Sequence, residues 1–403
     1  MSFSEWKEVK LEEIINIEMG QSPKSEFYNS KCKGLPFLQG NRTFGDKYPS
    51  FDTYCTDIKK IAQTDDVIMS VRAPVGDLNI ATEKICIGRG VCAMSMKNQN
   101  NMYLFYLLKH NIKKLINRES GTVFGSVNKN DINTLEVLYT SNDNEQKETA
   151  LILSCLDEKI YLNNRINKNL EDIAQAIFKS WFVDFEPFQD GEFEDSELGP
   201  IPAGWRIGAL GDYVTSIDNR GKTPPLSIQK TPYPIIDVKA LSGESRIINY
   251  TNCTKYVDEE TYNNWFRSGN PMRYDILIST VGSLAEMKIF YGEKGCVAQN
   301  VVGLRSKSIS ALLLYQYLQN IKQDLISYNI GSVQPSIKVT HIIKHKILVP
   351  TEEVLQLFEA TISEISNLIF NNFQENQALI TIRDSLLPKL MSGEIRVPKE
   401  EVQ

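Results

Sequence analysis

The sequence predicts an α+β fold built twice: two pseudo-twofold-related α/β domains joined by two long coiled-coil helices. Three observations carry this. Asp66 opens the run DVIMSV and Asp275 opens DILIST, an offset of 275 − 66 = 209. SGTVFGSVNKNDI, from Ser120 to Ile132, faces IGSVQPSIKVTHI, from Ile330 to Ile342, where 331 − 121 = 210. A helical heptad runs through Leu153, Leu156, Ile160, Asn163, Asn167, Leu170, Ala174, Ile177 and Trp181. Adding 209 to each lands on Ile362, Ile365, Ile369, Asn372, Asn376, Leu379, Arg383, Leu386 and Leu390. Two Asn interrupt the apolar series at the same two places in each copy.

The elements follow in chain order. Residues 1–142 form the first domain. VKLEEIINIEMG opens as a short strand or helix and stops at Gly20. GLPFLQGNR, DDVIMSVRAPVGDLNIA and KICIGRGVCAMSM are β-rich runs punctuated by Gly and Pro. MYLFYLLKHNIKKLI is an amphipathic helix, with His110 at its surface. Over 143–187 the period becomes 3.6, with no Gly or Pro before Pro187. Forty residues of helix reach ~60 Å, more than a domain core needs. The 3-4 spacing therefore predicts a partner helix along the whole length. Residues 188–200, FQDGEFEDSELGP, read as an exposed acidic linker. The second domain, 201–350, begins with Trp205 and Leu210 of GWRIGALGDY against Trp6 and Leu11 of EWKEVKLEEI. There the offset is 205 − 6 = 199, so this copy carries about ten extra residues in its front half. The second long helix, 351–396, is stopped by Pro388. A tail, 397–403, follows.

Composition bounds the function. The 403 residues are 42% hydrophobic and 23% charged, as in an ordinary globular chain. No apolar run approaches the ~18 residues of a membrane span, and MSFSEWKEVK has no apolar stretch for a signal peptide. Seven Cys without a CxxC pair point to reduced thiols and a cytoplasmic setting. A net charge of −6 argues against a general nucleic-acid coat protein, whose affinity comes mostly from phosphate neutralisation. An acidic chain still binds DNA when its basic residues cluster or partner subunits supply the charge.

The motifs that would carry catalysis are not found. GTVFGS and GSVQPS sit just before the closing strands and lack the Lys of a phosphate loop. IGRG has too few glycines for a dinucleotide fingerprint. No NPPF- or DPPY-like run marks an amino-methyltransferase. Asp157, in DEK on the heptad helix, reads as surface charge. His341 and His345 have the i, i+4 spacing of a helical metal pair. VTHIIKHKILVP, however, alternates like a strand, on which four residues span ~13 Å. No metal site, cofactor site or catalytic constellation is predicted in this chain.

The domains carry instead Gly-braced loops rich in Gln, Asn, Arg, Lys, Ser and Thr. In the first copy these offer Gln39, Asn41, Arg42, Arg72, Arg89, Thr122, Ser126 and Lys129. In the second they offer Asn219, Arg220, Lys222, Lys239, Gln299, Asn300, Ser332, Gln334 and Lys338. Arg and Lys pair with guanine edges, Gln and Asn with adenine, so these are candidate DNA-binding residues. Any one of them also suits an ordinary turn; similar residues at similar places in two copies favour the set. Asn163, Asn167, Asn372 and Asn376 are candidates for buried Asn that fix helix register.

DSELGPIPAGW before the second copy, GSVQPSI, and RDSLLPKLMSGEI near the end resemble type I restriction–modification specificity subunits. The resemblance covers the whole chain. It implies two target-recognition domains, each reading half of a split DNA site, held apart by two antiparallel helices. It also implies partners: two methyltransferase subunits bringing S-adenosylmethionine and adenine chemistry, and restriction–translocase subunits using ATP with Mg. A different reading is a non-catalytic coiled-coil scaffold with two protein-binding heads. The acidic balance favours it, and the polar Gly-braced loops do not.

Overall fold

The computed structural model of the chain describes residues 6–118, 125–221, 223–292 and 294–397. They divide into two units: Met1–Asn163 with Gln374–Gln403, and Asn164–Phe373.

In the first unit DVIMSV becomes the strand Val67–Ser70, buried at every residue. Its alternation separates two cores. Val67 and Met69 face a cluster with Tyr103, Leu104 and Leu107 of the helix Asn101–Ile116. Ile68 faces a second cluster with Leu38, Ile85 and Ile87. The strand lies in an antiparallel sheet ordered Ile15–Met19, Val91–Met96, Val67–Ser70, Leu78–Ile80. In a second sheet, of five short strands, Leu35–Leu38 runs parallel to Ile85–Ile87.

The second unit repeats this plan. Its sheet is ordered Val214–Ile217, Val301–Ser306, Ile276–Ser279, Met287–Ile289. Ile276 and Ile278 face one core and Leu277 another. A parallel pair, Ile235–Ile236 with Cys296–Val297, stands where the first unit has its own.

VKLEEIINIEMG holds strand, helical turn and strand in succession: Trp6–Lys10, Leu11–Ile14 and Ile15–Met19. The turn exists because Leu11 is fully buried, with its N–H donating to the Leu135 carbonyl at 3.0 Å. Leu210, also fully buried, donates to the His345 carbonyl at 2.9 Å.

Three expectations are corrected. Val339–Lys344 is a short helix, and the strand begins only at Lys346. The run alternates by polarity, yet its buried residues, Val339 and Ile342, stand three apart, which is a helical face. The matching helix Lys129–Asn133 is capped by Asn128, whose Oδ1 accepts from the N–H groups of Asn130 and Asp131. Neither loop therefore leads directly into its closing strand. Pro388 does not stop the second long helix, Glu352–Met391. Its missing N–H falls in the last turn, where one lost bond is offset by burial of Leu387, Leu390 and Met391. The helix ends instead at Gly393, with φ of +71°. The acidic linker is largely exposed; within it Phe193–Glu194 pairs with Ile201–Pro202, and Phe188 packs on Trp205 with ring centroids 5.1 Å apart.

The first long helix is Asp143–Phe182; each of the two has 40 residues. They are antiparallel within both units. Asp157 meets Arg383 and Asn163 meets Asn376 in one; Asn167 meets Asn372 and Phe178 meets Phe358 in the other. Among the described residues, no helix is long and apolar enough to cross a membrane.

Candidate nucleic-acid interface

In the first unit, main-chain hydrogen bonds stitch the predicted loops along one edge. Gly20 follows the strand Ile15–Met19 and donates to the Val91 carbonyl at 3.0 Å. A Cβ on Gly20 would lie 2.1 Å from the Gly88 oxygen, so no side chain fits this approach. Ser22 Oγ donates to Gln39 Oε1 at 2.9 Å and accepts from the Arg89 N–H at 3.1 Å. The Gly90 N–H donates to the Gln39 carbonyl, and the Val71 N–H to that of Gly90. Val127 donates to Val71 and Ala73 to Gly125, framing a bridge between Arg72 and Ser126. Gln39, Arg72, Arg89 and Ser126 are thus brought together; the first three are exposed and Ser126 is half-buried. Lys129, exposed, begins the helix just beyond.

Asn41 and Arg42 are engaged elsewhere. Asn41 donates to Asp77, in the turn after Val67–Ser70. Arg42 pairs with Asp52 at 2.7 Å. Both partners of that ion pair are open to water, so its guanidinium is only weakly held.

The second unit repeats the frame at the sequence offset. Thr280 donates to the Asn300 carbonyl at 2.8 Å, Ile337 to Thr280 at 2.8 Å and Gly282 to Pro335 at 3.0 Å, around a bridge between Val281 and Ser336. Gln299 Nε2 donates to Thr223 Oγ1 at 2.9 Å. Lys239, Gln299, Ser332, Gln334 and Lys338 are exposed. Asn300 Oδ1 is buried without a hydrogen-bond partner among the described residues. Asn219 braces a turn, accepting from the Ser268 N–H and donating to the Gly269 carbonyl. Arg220 binds Asp218 through two nitrogens, holding that carboxyl below its usual pKa. These two residues are thus committed to their own loop. Thr122 and Lys222 lie outside the described residues.

The helix Asn residues pair with one another; of the four expected to be buried, Asn163 and Asn376 are, while Asn167 and Asn372 are half-buried. Asn163 Nδ2 donates to Asn376 Oδ1 at 2.9 Å and to Glu375 at 2.8 Å. Asn372 Nδ2 donates to Asn167 Oδ1 at 2.8 Å. The 209 offset exchanges the pairs, since 163 + 209 = 372 and 167 + 209 = 376.

Asp157 is not surface charge. It is 8% exposed, accepts from Tyr106 at 2.8 Å and Arg383 at 2.7 Å, and lies 3.5 Å from Lys109. Burial alone would raise its pKa; the Lys109 charge and the Arg383 and Tyr106 hydrogen bonds outweigh it and hold the carboxyl low. Asp157 stands four residues after Leu153 and three before Ile160, on the buried face, and Arg383 itself occupies a heptad position. Those spacings were the available signal. In the second unit Arg246, fully buried, binds Glu171. Lys288 is pushed down to about 8 by burial and donates to the carbonyls of Gly243 and Ser245. His341 and His345 flank Tyr328, whose hydroxyl bonds His345 Nδ1 at 2.9 Å.

Two copies of one loop-bearing α/β domain, with different polar side chains on a shared main-chain frame, define a two-headed recognition protein. The family model described as type I restriction modification DNA specificity domain matches residues 3–172 and 202–379, and the chain belongs to this family. It is similar to the specificity subunit of the type I restriction enzyme MjaIX of Methanocaldococcus jannaschii, with 27% identity over 341 residues covering 82% of this chain and 78% of the relative. It is also similar to the HindI specificity subunit of Haemophilus influenzae, with 26% identity covering 73% of this chain and 77% of that one. The crystal structure of the type I system S subunit from M. genitalium shares the fold, with a TM-score of 0.57, 17% identity and 97% of both chains covered. The protein is therefore a specificity subunit: the DNA-binding, non-catalytic component of a restriction–modification system.

Proposed function

We propose that the chain reads a split duplex site, one half per copy, and positions adenine-methyltransferase and restriction subunits upon it. The observation that carries this is one main-chain frame bearing two different sets of side chains. Arg72 stands where the second copy has Val281 (281 − 72 = 209), and Arg89 where it has Gln299 (299 − 89 = 210). Arg suits guanine and Gln suits adenine. A shared frame with different letters is what two unlike half-sites require. The spacer bases need no contact, because the long helices set the distance between half-sites.

Two methyltransferase subunits bring S-adenosylmethionine and carry out adenine methylation; restriction–translocase subunits bring ATP and Mg. Those partners also supply much of the phosphate contact that a chain of net charge −6 does not. The complex works on DNA in the cytoplasm.

The test is fluorescence anisotropy of the assembled complex on duplexes carrying its methylated motif or a scrambled one. Preference of at least ~10³ for the motif is expected. Arg72→Ala should lower discrimination by about 1–3 kcal/mol in one half-site alone. Equal binding to both duplexes would refute the reading and leave the protein-interaction scaffold in its place.

A further inference from the structure

We infer that Val333 reads DNA in the second copy by packing against the 5-methyl group of a thymine in the major groove. This rests on the DNA reading proposed above.

Val333 is 98% exposed. A single exposed aliphatic residue is ordinary on a protein surface; what sets this one apart is the clamp beneath it. Asn329 Oδ1 accepts from the N–H groups of Gly331 and Ser336, each at 2.9 Å. Ile330 donates to the Ser336 carbonyl at 2.9 Å. A Cβ on Gly331 would lie 1.8 Å from the Gln334 oxygen, so the loop closes only with glycine there. Gly282 and Ile337 then tie it to the shared frame through Pro335 and Thr280. The loop is ordered by polar bonds at its base and holds an aliphatic side chain at its tip. A β-branched side chain has few rotamers to lose on contact.

Ser332 and Gln334, both exposed, flank the tip. A surface complementary to this triplet offers hydrogen-bonding groups beside one small apolar group. The major-groove edge of an A·T pair has that composition: N6 and N7 of adenine, and the methyl of thymine. The minor groove presents no methyl. In the first copy Val123 stands at the same place (333 − 123 = 210), while its neighbours change from Ser332 and Gln334 to Thr122 and Phe124. The structure of that segment lies outside the described residues. The aliphatic residue and the hydroxyl before it are kept between copies, while Gln334 gives way to Phe124.

The assay uses the assembled complex and duplexes in which each thymine of the motif is replaced, one at a time, by deoxyuridine. At one thymine of one half-site, loss of the methyl should weaken binding about fourfold. Val333→Ala should bind the thymine and uracil duplexes alike at that position and leave the other half-site unchanged. Uracil tolerated at every position, an unaltered thymine-to-uracil ratio in Val333→Ala, or a half-site without thymine would each overturn the inference while the split-site reading stands. A complex with no site preference overturns both.

Discussion

Arg383→Ala removes the guanidinium that holds Asp157 at 2.7 Å and leaves a carboxylate only 8% exposed. Breaking a buried ion pair from one side costs about 3–5 kcal/mol. Tyr106 and Lys109 stay beside the carboxylate, at 2.8 and 3.5 Å, so a loss near the lower end, about 3 kcal/mol, is expected. Asp157→Ser should cost less, about 2 kcal/mol, because Arg383 keeps its contacts with Asp384. The second copy holds Ser366 and Ala174 at the equivalent places (366 − 157 = 209 and 383 − 174 = 209). The double change therefore installs a pair that this fold already accommodates, and should fall about 2 kcal/mol short of the sum of the singles. Urea unfolding read by hydrogen exchange of the amides in Val67–Ser70 isolates the first unit from the second, as a two-unit chain requires. Singles that add within about 0.5 kcal/mol would show that the pair is not coupled.

Further predictions bear on recognition and on pH. Gln334→Ala should relax specificity in one half-site by about 1–3 kcal/mol, whereas Lys338→Ala should weaken all sequences alike and flatten the salt slope; binding to single-base variants separates the two. A heptad inserted after Arg165 and another after Gln374 lengthens both helices by ~10 Å, so the spacer should grow by about three base pairs with the half-sites unchanged; an unaltered spacer in the methylated motif would reject the ruler. The folded-state pKa of Asp157 lies below its unfolded value, so its contribution to stability is present above the unfolded carboxylate range and is lost as pH falls through the folded pKa. The stability gap between the parent chain and Asp157→Asn should accordingly narrow as pH drops below about 4 in urea titrations.

The parts of the fold that could be read from the sequence are those whose period is long enough to be unambiguous. The heptad and its Asn positions led directly to two 40-residue helices and their paired amides. DVIMSV and DILIST were legible because strands buried on both faces are apolar throughout. Short elements were not: in Val339–Lys344 six residues satisfy both periods, and packing of Val339 and Ile342 decides. Pro388 misled because helix termination depends on burial around it as well as on the lost N–H. Among the candidate contacts, residue type named Gln39, Arg72 and Arg89 in separate loops, and only the fold shows that they share one edge. Residue type alone cannot distinguish an exposed Arg from Arg220, which its neighbour Asp218 occupies. Asp157 was misjudged because charge was weighed without its place on the helix face.

The central claim, that each copy reads its own half-site, is tested most directly by sequencing the methylated bases in DNA modified by the assembled complex, first with the parent chain and then with Gln334→Ala. The account predicts a motif of two specified segments separated by a fixed run of unspecified bases, with Gln334→Ala relaxing one segment and leaving the other and the spacing intact. A single continuous motif, or relaxation spread evenly over both segments, would contradict it.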